Sequence, residues 1–301
     1  MKPWLKFALK AVIGLAIIFF LAERLVKSYS QIADYEFTIN YGFIALSIAL
    51  GIIGFLMLSF GWKQCLRICG GDISTGKAIV LWFRSQMAKY LPGTVWYFIC
   101  RARDCSKLGI SKKESISSLF FESLMLGVSA LIFSMAVLAV SNAELPVSRY
   151  ALIAVIILGL ASMHPAIVNR IAALFKKDVK LIHVNYSKIV LTIAYYMLCW
   201  AVIGFGFYIL AKAIYPVQIS TMPYIIALFL LSWVIGFVSV FAPGGIGVRE
   251  GIIVLLLSSI TTAPIAIVIA FASRIWWTIA ETSIFAASTV IERLNKRYKQ
   301  N

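Results

Sequence analysis

The chain has 301 residues, of which 61% are hydrophobic and 13% are charged, and its net charge is +16. This composition excludes an ordinary soluble domain, because so much apolar surface cannot be kept out of water. Apolar runs of about 20 residues recur along the chain, and each is long enough to cross a hydrocarbon core of about 30 Å. We therefore predict an all-α, polytopic membrane helix bundle that forms a single integral-membrane domain over residues 1–301.

The first apolar run, 11–22, follows Lys2, Lys6 and Lys10. This arrangement resembles a secretory signal peptide, but Glu23 and Arg24 follow it where small residues would mark a cleavage site. We therefore predict that the run is a retained first membrane span.

Six longer apolar runs and two segments broken by Pro and Gly follow in chain order. The runs lie near 41–61, 116–140, 150–164, 188–211, 223–241 and 265–288. The broken segments lie near 78–100 and 242–260, and we count the short run 247–261 as a crossing to reach about eight spans. The first broken segment is either re-entrant or lies along the membrane interface.

Positive charge is distributed unevenly between the predicted loops. Most of the 28 Lys and Arg residues fall in 1–10, 62–113, 165–188 and the C-terminal tail. The positive-inside rule then places both the N-terminus and the C-terminus in the cytoplasm. The positive charge therefore reports membrane topology, and we predict no nucleic-acid partner.

The sequence offers no evident metal or cofactor site. Cys65 and Cys69 are one helical turn apart, but no further Cys or His completes a metal-binding pattern, so we interpret the five cysteines as reduced structural thiols. The chain has no Walker loop, and no Ser or Cys nucleophile stands in a recognisable setting. We predict no metal, no cofactor and no catalytic residue.

The two Pro-Gly breaks are candidates for phosphate binding. A broken helix in each half of a membrane chain is typical of a transporter's binding site, and backbone N–H groups at a new helix start favour an anion. Cationic side chains accompany both breaks. The predicted helix-break residues are Pro92, Gly93, Pro243, Gly244, Gly245 and Gly247, and the predicted phosphate-binding cations are Arg84, Lys89, Arg249 and Arg274. Simple interfacial loops are the alternative explanation.

Several carboxylates are predicted to lie within the membrane. A charge at that depth costs about 2.5–3.5 kcal/mol, so such residues are usually paired and functional. We predict that Glu122 or Glu250 pairs with Arg249 or Arg274, and that Glu281 shares a helical face with Arg274. These three carboxylates would compensate the cations or couple transport to protons. A purely structural ion pair is the alternative.

The motif Ala242-Pro243-Gly244-Gly245-Ile246-Gly247-Val248-Arg249-Glu250 resembles that of the lysylphosphatidylglycerol synthase transmembrane-region family, the flippase-like proteins also called uncharacterised family 0104. Arg84, the Lys89–Gly93 segment and Glu122 contribute to the resemblance, which extends over essentially the whole chain. The resemblance implies a multi-helix lipid-handling domain in the bacterial cytoplasmic membrane. In larger members a soluble aminoacyl-transferase domain follows, and we expect this chain to be a stand-alone member without it.

The first hypothesis is translocation of an anionic lipid with a phosphate head group, either a polyprenyl-phosphate-linked sugar or an anionic phospholipid. The preference for the former rests on family association. A second hypothesis is a membrane-embedded glycosyltransferase that uses Asp34 and Glu36 in the first external loop. A third is a non-catalytic partner of a glycosyltransferase or lipid synthase.

Overall fold

The computed structural model describes residues 39–88, 96–141, 148–175, 185–239, 245 and 247–298. Within these ranges the regular structure is entirely helical, which confirms the all-α prediction. The helices are α1 Tyr41–Ile68, α2 Thr75–Met87, α3 Trp96–Ser106, α4 Lys112–Val140, α5 Arg149–Ser162, α6 Pro165–Phe175, α7 Tyr186–Ile214, α8 Met222–Val238, α9 Val248–Leu257 and α10 Ala263–Tyr298. A short 3₁₀ helix, Ile219–Thr221, precedes α8.

Five stretches of the described chain are long and apolar enough to cross a membrane. They correspond to α1, α4, α7, α10 up to residue 290, and α8 together with the 3₁₀ turn before it. Helix α5 is apolar but has only 14 residues. The chain is therefore a membrane protein with several apolar helices. The predicted first span and both termini lie outside the described residues, so the count of about eight spans stays a prediction.

Two helix boundaries differ from the sequence prediction for clear physical reasons. Helix α1 continues past residue 61 to Ile68, because Trp62, Cys65 and Leu66 are buried against neighbouring helices. Helix α9 begins at Val248, one residue into the predicted crossing 247–261, where a side chain in its first turn caps the backbone, and it ends four residues earlier than predicted, at Leu257.

Helices α1 and α7 form an antiparallel pair at the centre of the bundle. The Asn40 N–H donates to the Ala213 carbonyl, so the start of α1 lies beside the end of α7. Helix α4 packs against both. The Trp62 indole donates to the Ser118 hydroxyl, which places the start of α4 beside the end of α1. The midpoints of the three long helices therefore lie at a similar depth in the bundle.

Two helical hairpins enter this bundle from opposite ends. Helices α2 and α3 pack against each other and follow the Ile68 end of α1. Helices α8 and α9 also pack against each other, and they follow the Ile214 end of α7. Because α1 and α7 are antiparallel, these two ends lie on opposite sides of the bundle. The described arms of the first broken segment pack against the long helices, α2 against α1 and α10 and α3 against α4.

Candidate functional site

A cavity of about 350 Å³ lies between the two hairpins. Its wall includes Phe55, Leu126 and Trp200, which stand at the midpoints of α1, α4 and α7 respectively. The hairpins also contribute to the wall, with Gln86 and Tyr97 from α2 and α3 and Gly236 near the end of α8. The cavity is therefore at the mid-depth of the helices that are long enough to span a membrane.

On one side of the cavity, a buried carboxylate of α4 accepts hydrogen bonds from the hairpin formed by α2 and α3. Glu122 is fully buried, and its carboxylate accepts hydrogen bonds from the Trp82 indole at 2.6 Å and the Tyr97 hydroxyl at 2.9 Å. The Arg101 guanidinium forms a third bond and an ion pair with the same carboxylate. All three donors belong to the hairpin arms α2 and α3. Because Trp82 and Tyr97 line the cavity, this network also sets the position of its wall.

Arg101 is the functional residue that sequence reasoning missed. It is fully buried, its Nε donates to the Ser85 hydroxyl at 2.8 Å, and its guanidinium lies over the rings of Tyr97 and Trp62 at 4.5 and 4.6 Å. Its Nη2 has no hydrogen-bond acceptor within the described part of the chain. In the sequence it is one of many cations in 62–113, and nothing in its spacing distinguishes it. Only the hairpin brings it to Glu122.

Another part of the wall carries two further arginines and a carboxylate, and a second carboxylate, Glu250, lies beside one of these arginines. Arg249, Arg274 and Glu281 line the cavity. The Arg249 guanidinium lies 4.4 Å from the Trp277 ring centre, a cation–π distance. Arg274 Nη1 lies 3.9 Å from a Glu250 carboxylate oxygen, which is an ion pair too long for a hydrogen bond. Of the predicted pairings, Glu250 is therefore beside Arg274, whereas Glu122 binds Arg101.

Glycines at the second break leave the space that the Arg249 side chain occupies. Gly236 on α8 and Gly245 before α9 approach so closely that a Cβ on Gly245 would lie 3.1 Å from the Gly236 Cα. The aliphatic stem of Arg249 fills the remaining space beside them. Gly247 has φ of 83°, a left-handed conformation that favours glycine, and its N–H donates to Glu250 at 2.6 Å. The carboxylate already occupies the helix-start donor that the sequence suggested for phosphate.

The other predicted site residues are not all part of this cavity. Arg84 does not line it, and its guanidinium lies 3.6 Å from the Asp104 carboxylate, where it links α2 to α3. No group of His, Cys, Asp and Glu able to hold a metal ion occurs among the residues that the structure describes. The predicted residues outside the described ranges are Lys89, Pro92, Gly93, Pro243 and Gly244.

The family model described as the lysylphosphatidylglycerol synthase TM region matches residues 7–280. The chain belongs to this family. The match covers most of its length and confirms the resemblance seen in the sequence. Among curated protein sequences, none matches the chain. Membership of the lysylphosphatidylglycerol synthase TM-region family is consistent with a role in membrane lipid handling.

The cavity contains two arginines that can bind a phosphate, and several aromatic side chains form part of its wall. The cavity wall includes Trp82, Trp233 and Trp277, and the planar guanidinium groups of Arg249 and Arg274 are suited to two-pronged phosphate binding. Glu250 lies beside Arg274, and Glu281 also lines the cavity.

Proposed function

We propose that this protein translocates an anionic lipid across the membrane, with the lipid phosphate held between Arg249 and Arg274 in the central cavity. The observation that supports this most directly is the position of the two arginines at the mid-depth of the long helices. Charges are costly at that depth, and a substrate site at the midplane beside broken helices is typical of transporters.

The cavity wall also provides a route for the lipid tail. Phe98 on α3 and Phe237 on α8 both line the cavity, yet they are 42% and 48% exposed. We infer that these partly exposed cavity residues flank a lateral opening toward the bilayer. A lipid can place its head group in the cavity through this opening while its apolar tail stays in the bilayer. A soluble solute would gain nothing from such an opening.

The lipid that we propose is either a polyprenyl-phosphate-linked sugar or an anionic phospholipid, and the family association favours the former. Both carry the phosphate that the arginines would bind. The proposed location is the cytoplasmic membrane of a bacterium, and a glycosyltransferase or synthase that supplies or consumes the lipid is the expected partner.

The test is lipid movement by the purified protein in liposomes, followed by dithionite quenching of a fluorescent phospholipid or a fluorescent short polyprenyl phosphate. We expect Arg274→Gln to slow movement about tenfold or more, since a hydrogen bond to a charged group contributes about 1.5–3 kcal/mol. Arg249→Ala should have a similar effect. Lys112→Gln, which removes an exposed cation at the start of α4, is the matched control and should retain full activity.

The outcome for each lipid separates the possibilities. Movement of only one probe identifies the lipid class. Equal rates for wild type and Arg274→Gln would contradict phosphate binding in this cavity. No movement of either lipid by folded wild-type protein would favour the role of a non-catalytic partner.

We also propose that the chain is not an enzyme, and the glycosyltransferase alternative has its own test. Asp34 and Glu36 lie outside the described residues, so their replacement is the direct approach. We expect the double variant Asp34→Asn, Glu36→Gln to move lipid at the wild-type rate in the same liposome assay. Loss of lipid-linked sugar transfer in this variant, measured with a radiolabelled donor, would instead support the enzyme.

A further inference from the structure

A second groove, of about 410 Å³, lies between the end of α1 and the start of α7. None of its lining residues lines the central cavity. The groove is at the Ile68 end of α1, which the distribution of positive charge places on the cytoplasmic side. It is therefore separate from the proposed transport site, and nothing in the proposed function accounts for it.

The groove combines a polar rim with an apolar floor. Arg67, Gln64 and Lys188 supply the polar groups, while Phe60 and Leu191 supply apolar surface. Leu191 is 69% exposed, so a large part of the floor faces outward from the bundle. Polar groups at one end and exposed apolar side chains along α1 and α7 match the shape of a lipid, with a head group and a tail.

The charge of the rim favours an anionic head group. Arg67 Nε donates to the Asp72 carboxylate at 2.8 Å. This hydrogen bond lowers the pKa of Asp72 below its usual value, so the carboxylate is ionised at neutral pH and offsets the Arg67 charge. Lys188 is an exposed second cation across the groove. The rim therefore keeps a net positive charge, carried by Lys188.

We propose that this groove binds one anionic glycerophospholipid of the cytoplasmic leaflet, with its phosphate between Arg67 and Lys188 and an acyl chain along Phe60 and Leu191. Basic pockets between membrane helices on the cytoplasmic side bind lipids of this kind. The bound lipid bridges α1 and α7, and it stabilises the central helix pair without being transported. A free phosphate has no apolar group that could pack against the floor.

The experiment is thermal unfolding of the full-length protein in neutral detergent, with added phosphatidylglycerol, phosphatidylcholine or glycerol 1-phosphate. Phosphatidylglycerol should raise the melting temperature at a lower concentration than phosphatidylcholine, and glycerol 1-phosphate should have no effect. We expect Lys188→Gln to raise the phosphatidylglycerol concentration required about fivefold, since one basic residue near an anionic lipid contributes about 1 kcal/mol. Lys112→Gln is the control and should leave that concentration unchanged.

A variant with the opposite expected effect makes the test sharper. Asp72→Asn removes the carboxylate that competes for Arg67, while its amide oxygen can still accept the Ile73 N–H. This variant should lower the required phosphatidylglycerol concentration by a similar factor. The difference between wild type and Lys188→Gln should persist when Arg249 is replaced by Ala, because the central cavity is separate.

Four results would overturn the proposal. An equal response to phosphatidylcholine would exclude recognition of the anionic head group, and an equal response to glycerol 1-phosphate would exclude a lipid. No response to phosphatidylglycerol would exclude a lipid site in the groove, and wild-type behaviour of Lys188→Gln would exclude phosphate binding at its rim.

Discussion

Glu122→Ala should destabilise the folded protein by about 3–5 kcal/mol, because it leaves the fully buried Arg101 guanidinium without its counter-ion. It also leaves the Trp82 indole and the Tyr97 hydroxyl without their acceptor. Both losses fall on the hairpin formed by α2 and α3, which donates three hydrogen bonds to this carboxylate of α4. We therefore expect the α2–α3 hairpin to separate from α4 first.

The measurement is thermal unfolding in detergent, monitored by size-exclusion chromatography after heating. Arg101→Met combined with Glu122→Leu is the informative companion, since replacing a buried ion pair with apolar residues of similar volume is often neutral or stabilising. This double variant should recover much of the stability lost in Glu122→Ala. It should not recover lipid movement, because Tyr97 would lack the bond that positions it in the cavity wall.

A cycle with the two single variants distinguishes a direct pair from independent effects. Strong coupling between positions 101 and 122 is expected, because their side chains are in contact. If Glu122→Ala melts within a degree of wild type, the carboxylate does not hold the hairpin and its proposed role is wrong.

The sequence predicted the membrane helices well because their signal is local. Long apolar runs identify α1, α4, α7 and α10 without knowledge of their neighbours. The two broken segments were also evident, because Pro and Gly interrupt apolar runs in an unusual way. The general organisation of transporters suggested that both segments contribute to one binding site. In the structure, both hairpins contribute to the wall of one cavity.

The pairing of charges could not be predicted because it depends on three-dimensional register. Glu122 was expected to find a cation within the membrane, and the sequence offered Arg249 and Arg274 as the two deepest ones. The actual partner, Arg101, lies in a segment whose many cations suggest an exposed cytoplasmic loop. The sequence left a re-entrant and an interfacial course open for this segment, and only the packing of α3 against α4 shows that Arg101 meets Glu122.

Gly236→Ala should slow lipid movement about tenfold or more while leaving a folded protein. A Cβ at this position would clash with the Arg249 Cγ, so the Arg249 side chain or the α8–α9 hairpin must shift. Forcing a methyl group into such a contact costs about 1–3 kcal/mol. The cheapest relief is movement of Arg249 away from its place over Trp277, which moves its guanidinium within the proposed phosphate site.

Gly251→Ala is the matched control for this prediction, since nothing lies within 4 Å of a Cβ at that position on α9. It should retain wild-type lipid movement and gain up to about 1 kcal/mol of stability, because alanine has the higher helix propensity. The two variants are compared in the liposome assay after size-exclusion chromatography shows that both are folded. Similar activity of the two would mean that the close approach of α8 to Arg249 does not determine transport. A defect confined to Gly236→Ala would show that the second break acts by positioning this arginine, because both variants add the same methyl group.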